Sequence, residues 1–359
     1  MEILHVISSL GQGGAEKLVS DLVSHSHKKI DVLILDNSLG KHGEKLQQRG
    51  INVIKPLCKR NFVSLSNFFF LHKHIKKYDV IHAHLFHCLY WVALLSLFVP
   101  KIYVYTEHNT NNKRRKHILF RPIEWFIYSR YNCIICISNA VAANLKLWLG
   151  VDWQKIKVIH NGIYLGTYKN AIKYNKSDFP NCNNDDILLV MVARFAASKD
   201  QPTLIKALSL LPDTCKLLLV GDGEREKEYK ELVDRLHLTG RVVFLGFRQD
   251  VSSILRTADI GVLSSHWDGF GLVAVEYMAA GCPVVASDVD GLCDVVKDAG
   301  LLFEAGNVND LREKLELLIN DPIKYKFIAE ACLQRSHEFG IEKMIDNYLK
   351  VYEKIIHSS

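Results

Sequence analysis

The chain has 359 residues, 48% of them hydrophobic, and a formal net charge of +6. That length exceeds the ~250–300 residues over which a single core keeps growing, so one domain is excluded and two are expected. Residues 1–160 carry 22 Lys/Arg against 10 Asp/Glu, a net +12, and residues 161–359 carry 23 against 29, a net −6, together the stated +6. A basic first half calls for an anionic partner: nucleic acid, a membrane surface or a phosphorylated substrate.

In chain order, Met1 leads directly into a strand-like run, Ile3–Ser8, so no signal peptide is expected. Gly11-Gln-Gly13-Gly14-Ala-Glu16 follows, placing glycines between a strand and a helix, where a backbone must approach a ligand closely. A dinucleotide fold is the rival reading, since the next strand, Val32–Leu35, ends at Asp36, where a ribose acid would sit. Against it, Glu16 occupies the third glycine position and would crowd a pyrophosphate. Further strands are expected at Asn52–Lys55, Val80–His82, Ile102–Thr106, Cys133–Cys136 and Lys157–Ile159, with helical segments between them.

Basic residues interleave with aromatics at 59–77 and at 113–126, as suits a surface lying on an anionic bilayer. The longest apolar run, Cys88–Val99, is too short for the ~20 residues of a spanning helix. His82, His84 and His87 invite a metal reading, but no Cys or carboxylate flanks them at ligand spacing. They are expected to be strand-end histidines facing the cleft, and no metal is assigned. Nine scattered cysteines imply a reducing cytoplasm without a disulfide framework, and Cys133-Ile-Ile-Cys136 is expected to be buried filler.

Polarity rises over 162–184, where a second unit is expected to begin. Its strands are expected at Ile187–Val192, Cys215–Val220, Val242–Leu245, Ile260–Leu263 and Val284–Ala286, and the last segment, Gly340–Ile356, has helical period. The richest stretch is 266–291, HWDGFGLVAVEYMAAGCPVVASDVDG. Here a strand runs into a Gly-rich turn carrying Asp268, a helix opens near Leu272, and Glu276 follows within about a turn. A helix N-terminus offers free N–H groups and a positive dipole end to an anion. Two acids beside a bare phosphate would repel it, so the expected ligand is a phosphate joined to hydroxyl-bearing sugars.

This block resembles the donor-site signature of retaining glycosyltransferases of family 4, with Asp268 where that signature has its first Glu. The resemblance implies a GT-B fold: two Rossmann-like, doubly wound parallel-sheet α/β domains facing a central cleft. Residues 1–165 would form the acceptor domain and 166–339 the nucleotide-sugar donor domain, with the helix 340–359 packing back on the first. The resemblance further implies that Glu276 holds ribose hydroxyls and Asp268 faces the transferred sugar. Gly271 and Leu272 would meet the phosphates. Arg194 and Lys199, in a segment similar to the family's Gly-Arg-Leu…Lys-Gly element, would neutralise the diphosphate. Phe247 or Arg248 would touch the nucleobase, and the turn 221–224 matches the family's Val-Gly-Asp-Gly.

In the first half, Gly13, Gly14 and Glu16 would lie at the cleft near donor and acceptor, with His84 and Asn109, and His108 would be a catalytic-site residue. The implied activity is hexosyl or N-acetylhexosaminyl transfer from a nucleotide sugar, with UDP as the carrier, to a polyprenyl-diphosphate-linked or saccharide acceptor. No metal or other cofactor and no nucleic acid are expected, and the location is the inner face of the cell membrane. Two alternatives stay open at this point: a NAD-dependent oxidoreductase, and a lectin-like GT-B module without turnover.

Overall fold

The computed structural model describes residues 1–358 apart from 12, 59–60, 109–114 and 116. It comprises two compact units, Met1–Gly162 with Ile341–Ser359, and Ile163–Gly340. In the first unit the strands are β1 (Ile3–Ile7), β2 (Ile30–Ile34), β3 (Val53–Ile54), β4 (Val80–His84), β5 (Ile102–Glu107), β6 (Cys133–Cys136) and β7 (Ile156–Val158). They form one sheet in the order β3-β2-β1-β4-β5-β6-β7, and each pairing is parallel. Near-continuous Val/Ile/Leu runs suit such strands, because crossover helices cover both faces of a parallel sheet.

The second unit repeats the plan with β8 (Ile187–Val192), β9 (Cys215–Val220), β10 (Val242–Gly246), β11 (Ile260–Leu263), β12 (Val284–Ser287) and β13 (Leu301–Phe303). Its order is β10-β9-β8-β11-β12-β13. The order of strands reverses between β1 and β4 in one unit and between β8 and β11 in the other. At such a switch point the connections leave in opposite directions, opening a crevice at the carboxyl ends of the strands where ligands bind. Strand β13 escapes the sequence reading because Leu301–Phe303 is too short a run to show a period; pairing with β12 defines it.

The last helix, Ile341–Ser358, belongs to the first unit. Its Ile341, Met344, Ile345, Tyr348, Leu349 and Tyr352 are buried in one cluster with Leu18, Val19 and Leu22 of the helix Gly14–His25. Their spacing of three and four residues is the apolar stripe of an amphipathic helix. The run Cys88–Val99 lies mostly in the helix Leu85–Leu95, which buries Cys88, Leu89, Val92, Ala93 and Leu95. Among the described residues, no helix is long and apolar enough to cross a membrane. Cys133 and Cys136 are buried in β6, and burial pushes the Cys133 thiol up to about 12. A thiol held protonated in this way is an inert packing group rather than a redox centre.

Candidate active site

In the second unit the site is built by a seam between two loops at the switch point. The chain leaves β8 through Arg194, and residues 198–200 are then laced to the end of β11. Asp200 N–H donates to Ser264 O at 3.1 Å, His266 N–H to Ser198 O at 3.0 Å, and the Ser264 hydroxyl to Asp200 O at 2.7 Å. This seam sets the Lys199 ammonium against the Asp268 carboxylate and 3.2 Å from Ser265 Oγ. Both partners are largely buried, at 19% and 16% exposed.

Asp268 has a second task. Its Oδ1 accepts from the backbone N–H groups of Phe270 at 3.3 Å and Gly271 at 3.1 Å. A carboxylate here meets the positive end of the helix Leu272–Ala279. Gly271 turns into that helix at φ +82°, where side chains are strained, and a Cβ on it would lie 2.5 Å from Leu292 Cδ1. Glu276 stands one turn into the helix and is buried at 7% exposure.

Arg194 is held more loosely. It is 75% exposed and pairs with Glu224 at 3.6 Å. The turn bearing Glu224 presses backbone to backbone on the Arg194 loop. A Cβ at Gly221 would lie 2.2 Å from Ala193 O, and one at Gly223 2.4 Å from Phe195 O. Phe247, just beyond β10, is half exposed. Its neighbour Arg248 is committed to Asp250, donating from Nε at 2.8 Å and Nη2 at 2.5 Å. The unit thus presents an exposed guanidinium, an anchored ammonium and a helix N-terminus at one sheet edge, with a buried carboxylate behind them. Cations and N–H groups suit a diphosphate, and the carboxylate suits hydroxyls.

The first unit holds a histidine cluster. Strand alternation puts His82 and His84 on one face of β4. Register pairs His5 of β1 with His82, and His84 with Thr106 of β5. All four side chains are fully buried. His82 Nε2 lies 2.7 Å from Thr106 Oγ1, and Nδ1 lies 2.5 Å from the Tyr352 hydroxyl. His84 Nε2 lies 2.9 Å from His5 Nδ1, and its Nδ1 lies 3.2 Å from His108 Nε2. Desolvation pushes the rings toward neutrality: His5 to about 3, His108 to about 4, and His82 and His84 well below their ordinary value. His5, His82 and His84 bring one nitrogen each within 4.8 Å of the others. Yet every nitrogen of these three rings already lies within hydrogen-bond distance of another group, so none is left over for an ion.

Gly13 precedes the helix Gly14–His25. The Glu16 carboxylate folds back over it: a Cβ on Gly13 would lie 2.1 Å from Glu16 Oε2, and the Ser9 hydroxyl donates to Glu16 Oε1 at 3.4 Å. A negative charge at this helix N-terminus opposes the pyrophosphate site that a dinucleotide fold requires.

Three expectations are corrected here. His84 is fully buried among His5, His82 and His108 rather than facing a cleft; within this cluster only His108, at its end, is partly exposed. In the basic group at 113–116, Arg115 is not a surface charge. It is 10% exposed and pairs with Glu107 at 3.0 Å and Glu124 at 3.9 Å, so it cannot meet a membrane. Arg248, offered by the sequence as a base contact beside Phe247, is tied to Asp250 instead. Asn109, with Lys59, Arg60, Lys113, Arg114 and Lys116, lies outside the described residues. Sequence reasoning missed His5, Tyr352 and Ser265. Only His5 left a signal, a polar residue centred in an apolar strand.

Two family models match the chain: Glycosyltransferase Family 4 over residues 12–166 and Glycosyl transferases group 1 over 173–335. An uncharacterized glycosyltransferase of Methanocaldococcus jannaschii is 31% identical over 290 residues, covering 77% of this chain and 76% of that protein. The UDP-Gal:alpha-D-GlcNAc-diphosphoundecaprenol alpha-1,3-galactosyltransferase of Escherichia coli is 27% identical, covering 85% and 81%. The crystal structure of Anabaena HepE in complex with UDP and glucose superposes with a TM-score of 0.85 at 25% identity, covering 99% of this chain and 100% of that one. With two parallel-sheet units and these matches, the chain is a transferase of GT-B fold, which displaces both the oxidoreductase and the non-catalytic alternatives. It belongs to the family 4 glycosyltransferases.

Proposed function

We propose that the protein is a retaining hexosyl- or N-acetylhexosaminyltransferase. Its donor is a UDP-sugar, and its acceptor is a polyprenyl-diphosphate-linked or free saccharide on the way to a bacterial surface polysaccharide such as O-antigen, capsule or exopolysaccharide. The observation that carries this reading is the seam that sets Lys199 and Asp268 at the N-terminus of the helix bearing Glu276. The names of the Escherichia coli galactosyltransferase and of the Anabaena complex with UDP and glucose support the donor and acceptor classes.

In this mechanism Arg194, Lys199 and the N-terminal end of the helix Leu272–Ala279 stabilise the charge that develops on the departing diphosphate. Such fixed donors supply the largest share of the rate in this kind of chemistry. Retention places the acceptor hydroxyl on the face from which the nucleotide leaves, so the departing phosphate itself takes the acceptor proton. Protein cations take the part a divalent ion would otherwise play. Incubation with UDP-hexoses and a lipid-linked acceptor in EDTA is expected to give an axially linked product at an undiminished rate. An inverted product, or activity restored only by Mn²⁺ or Mg²⁺, contradicts the mechanism.

The two acids divide the donor between them. Glu276 accepts ribose hydroxyls, so Glu276→Gln weakens free UDP and UDP-sugar alike, by about 1.5–3 kcal/mol for a charge-assisted hydrogen bond. Asp268 serves the sugar end and the Lys199 ammonium. Asp268→Asn keeps an oxygen for Phe270 and Gly271, leaves UDP affinity unchanged and lowers turnover. Calorimetry with the two variants checks the division; the opposite pattern reverses the roles.

The first unit docks on the inner face of an anionic membrane. Following Lys113, Arg114 and Lys116 in the sequence, Ile118, Leu119, Ile123, Trp125 and Phe126 stand 46–81% exposed, apolar side chains that a monomer in water does not favour exposing together. Lys113, Arg114 and Lys116 add about 1 kcal/mol each near such a surface, screened by salt. Converting these three to Ser, with Leu119→Ser, is expected to release the protein from anionic liposomes and to slow a lipid-linked acceptor while sparing a soluble one. Equal loss with both acceptors and unchanged liposome binding would assign these charges to the acceptor diphosphate instead.

A further inference from the structure

The histidine cluster forms a single hydrogen-bonded line. It runs Thr106 Oγ1 to His82 Nε2 at 2.7 Å, His82 Nδ1 to the Tyr352 hydroxyl at 2.5 Å, and that hydroxyl to His5 Nε2 at 3.3 Å. It continues from His5 Nδ1 to His84 Nε2 at 2.9 Å and from His84 Nδ1 to His108 Nε2 at 3.2 Å. Every ring joins the line through both nitrogens except His108, whose Nδ1 lies beyond its end.

Neutral imidazole carries one proton on two nitrogens, so each ring donates on one side and accepts on the other. A tyrosine hydroxyl in the line does the same. Five links in series therefore admit only two complete arrangements. In one, every ring carries its proton on Nδ1 and each bond donates toward His108. In the other, every ring carries it on Nε2 and each bond donates toward Thr106. Any mixture leaves two lone pairs or two protons facing each other, or leaves the Tyr352 hydroxyl accepting twice with its own proton unpaired. In a buried site that costs the full penalty of unsatisfied polar groups. Burial also keeps His5, His82 and His84 uncharged, so protonating a ring does not relieve the constraint.

We infer that His5, His84 and Tyr352 are positioning residues that lock the tautomer of His108, so that its Nδ1 is presented as a fixed donor or a fixed acceptor. Tyr352 is the link that the last helix contributes. This inference rests on the proposed role of His108 at the reaction centre for its catalytic consequence, but not for the tautomer lock itself.

Two buried hydroxyls on one helix allow a controlled test. Tyr352→Phe removes the oxygen that joins His82 to His5. Tyr348→Phe removes an equally buried oxygen that reaches only to Thr106, at 3.3 Å, outside the line. Nitrogen-15 NMR of ring-labelled histidine in the full chain reads each tautomer directly. The wild type is expected to show His5, His82, His84 and His108 as neutral rings protonated on the same nitrogen. Tyr352→Phe is expected to release His108 into a tautomer mixture and to lower kcat for UDP-sugar turnover by about 10- to 100-fold, the scale known for partners that orient metal-bound histidines. UDP affinity stays unchanged, and Tyr348→Phe changes none of these readings.

Mixed tautomers in the wild type would overturn the inference, as would a His108 spectrum unaltered by Tyr352→Phe. Equal effects of the two variants would reduce Tyr352 to a packing residue. A stoichiometric bound metal in the purified protein would replace the line with a coordination site. If the wild type turns over no nucleotide sugar, the proposed function fails while the tautomer spectrum still decides the lock. If Tyr352→Phe does not fold, His5→Gln breaks the line at the next ring and is read by the same spectrum.

Discussion

Replacing Arg194 or Lys199 by Ala lowers kcat/KM by about 30- to 1,000-fold, equivalent to about 2–4 kcal/mol of lost transition-state stabilisation. That is the usual scale for removing one preorganised donor from a site of developing charge. The two residues differ in preorganisation, and the losses should differ with it. Lys199 is fixed by Asp268 and Ser265 inside a seam between two loops, so under the proposed function it would meet a diphosphate without reordering. It falls at the upper end. Arg194 is 75% exposed on a loose pair with Glu224 and must be drawn onto the ligand, so it falls at the lower end. Lys199→Ala also strands a largely buried Asp268, so the double variant Lys199→Ala/Asp268→Asn should recover thermal stability without recovering rate. Steady-state kinetics on the variants checks this; near-normal kcat/KM in both single variants contradicts the assignment.

The first unit is expected to be less stable at pH 5 than at pH 7.5, by roughly 2 kcal/mol for each buried ring that stays neutral at pH 5. His5, His82 and His84 are fully buried, and desolvation holds their folded pKa values down, that of His5 at about 3. The unfolded chain binds protons at these rings below about pH 6.5, whereas the folded chain does not. Unfolding therefore takes up protons, and stability falls as pH drops from 6.5 toward the folded values. At pH 5 each ring contributes roughly 2 kcal/mol to this loss. The sum rivals the whole stability of an ordinary domain, about 5–15 kcal/mol. Four of the five tryptophans, Trp91, Trp125, Trp148 and Trp153, lie in this unit, so indole fluorescence during urea unfolding follows it. His82→Gln should remove the share of one ring, roughly 2 kcal/mol, from the pH dependence. A first unit equally stable at both pH values contradicts neutral buried rings.

Much of the fold was legible because parallel strands are buried on both faces and read as plain apolar runs. Cys133–Cys136, Ile187–Val192, Cys215–Val220 and Ile260–Leu263 stand as the sequence suggests. Sites formed by local chain were legible for a similar reason. The turn–helix from Asp268 to Glu276 carries its glycines, its N-terminal acid and its helix in one stretch. What stayed hidden was made by register and by distant chain. Lys199 meets Asp268 across 69 positions, through a loop seam that no local pattern encodes. Tyr352 meets His82 across 270, and only the pairing of β1 with β4 brings His5 between them. His84 was expected to face the cleft because alternation gives its side of the sheet, not what covers that side. Arg115 looked like one more surface charge in a basic run. Its buried partners, Glu107 and Glu124, come from β5 and from the helix Phe120–Ser129.

The central claim is that the second unit binds a nucleotide sugar through Lys199, the Gly271–Leu272 helix start and Glu276. Saturation-transfer NMR of the full chain against UDP-, GDP- and ADP-sugars tests it most directly. The account predicts strong transfer to the base and ribose protons of UDP-sugars, competed by free UDP, with the competing UDP concentration raised about 10- to 100-fold by Glu276→Gln. Transfer confined to the sugar ring, equal transfer from all three nucleotides, or a signal untouched by Glu276→Gln would contradict it.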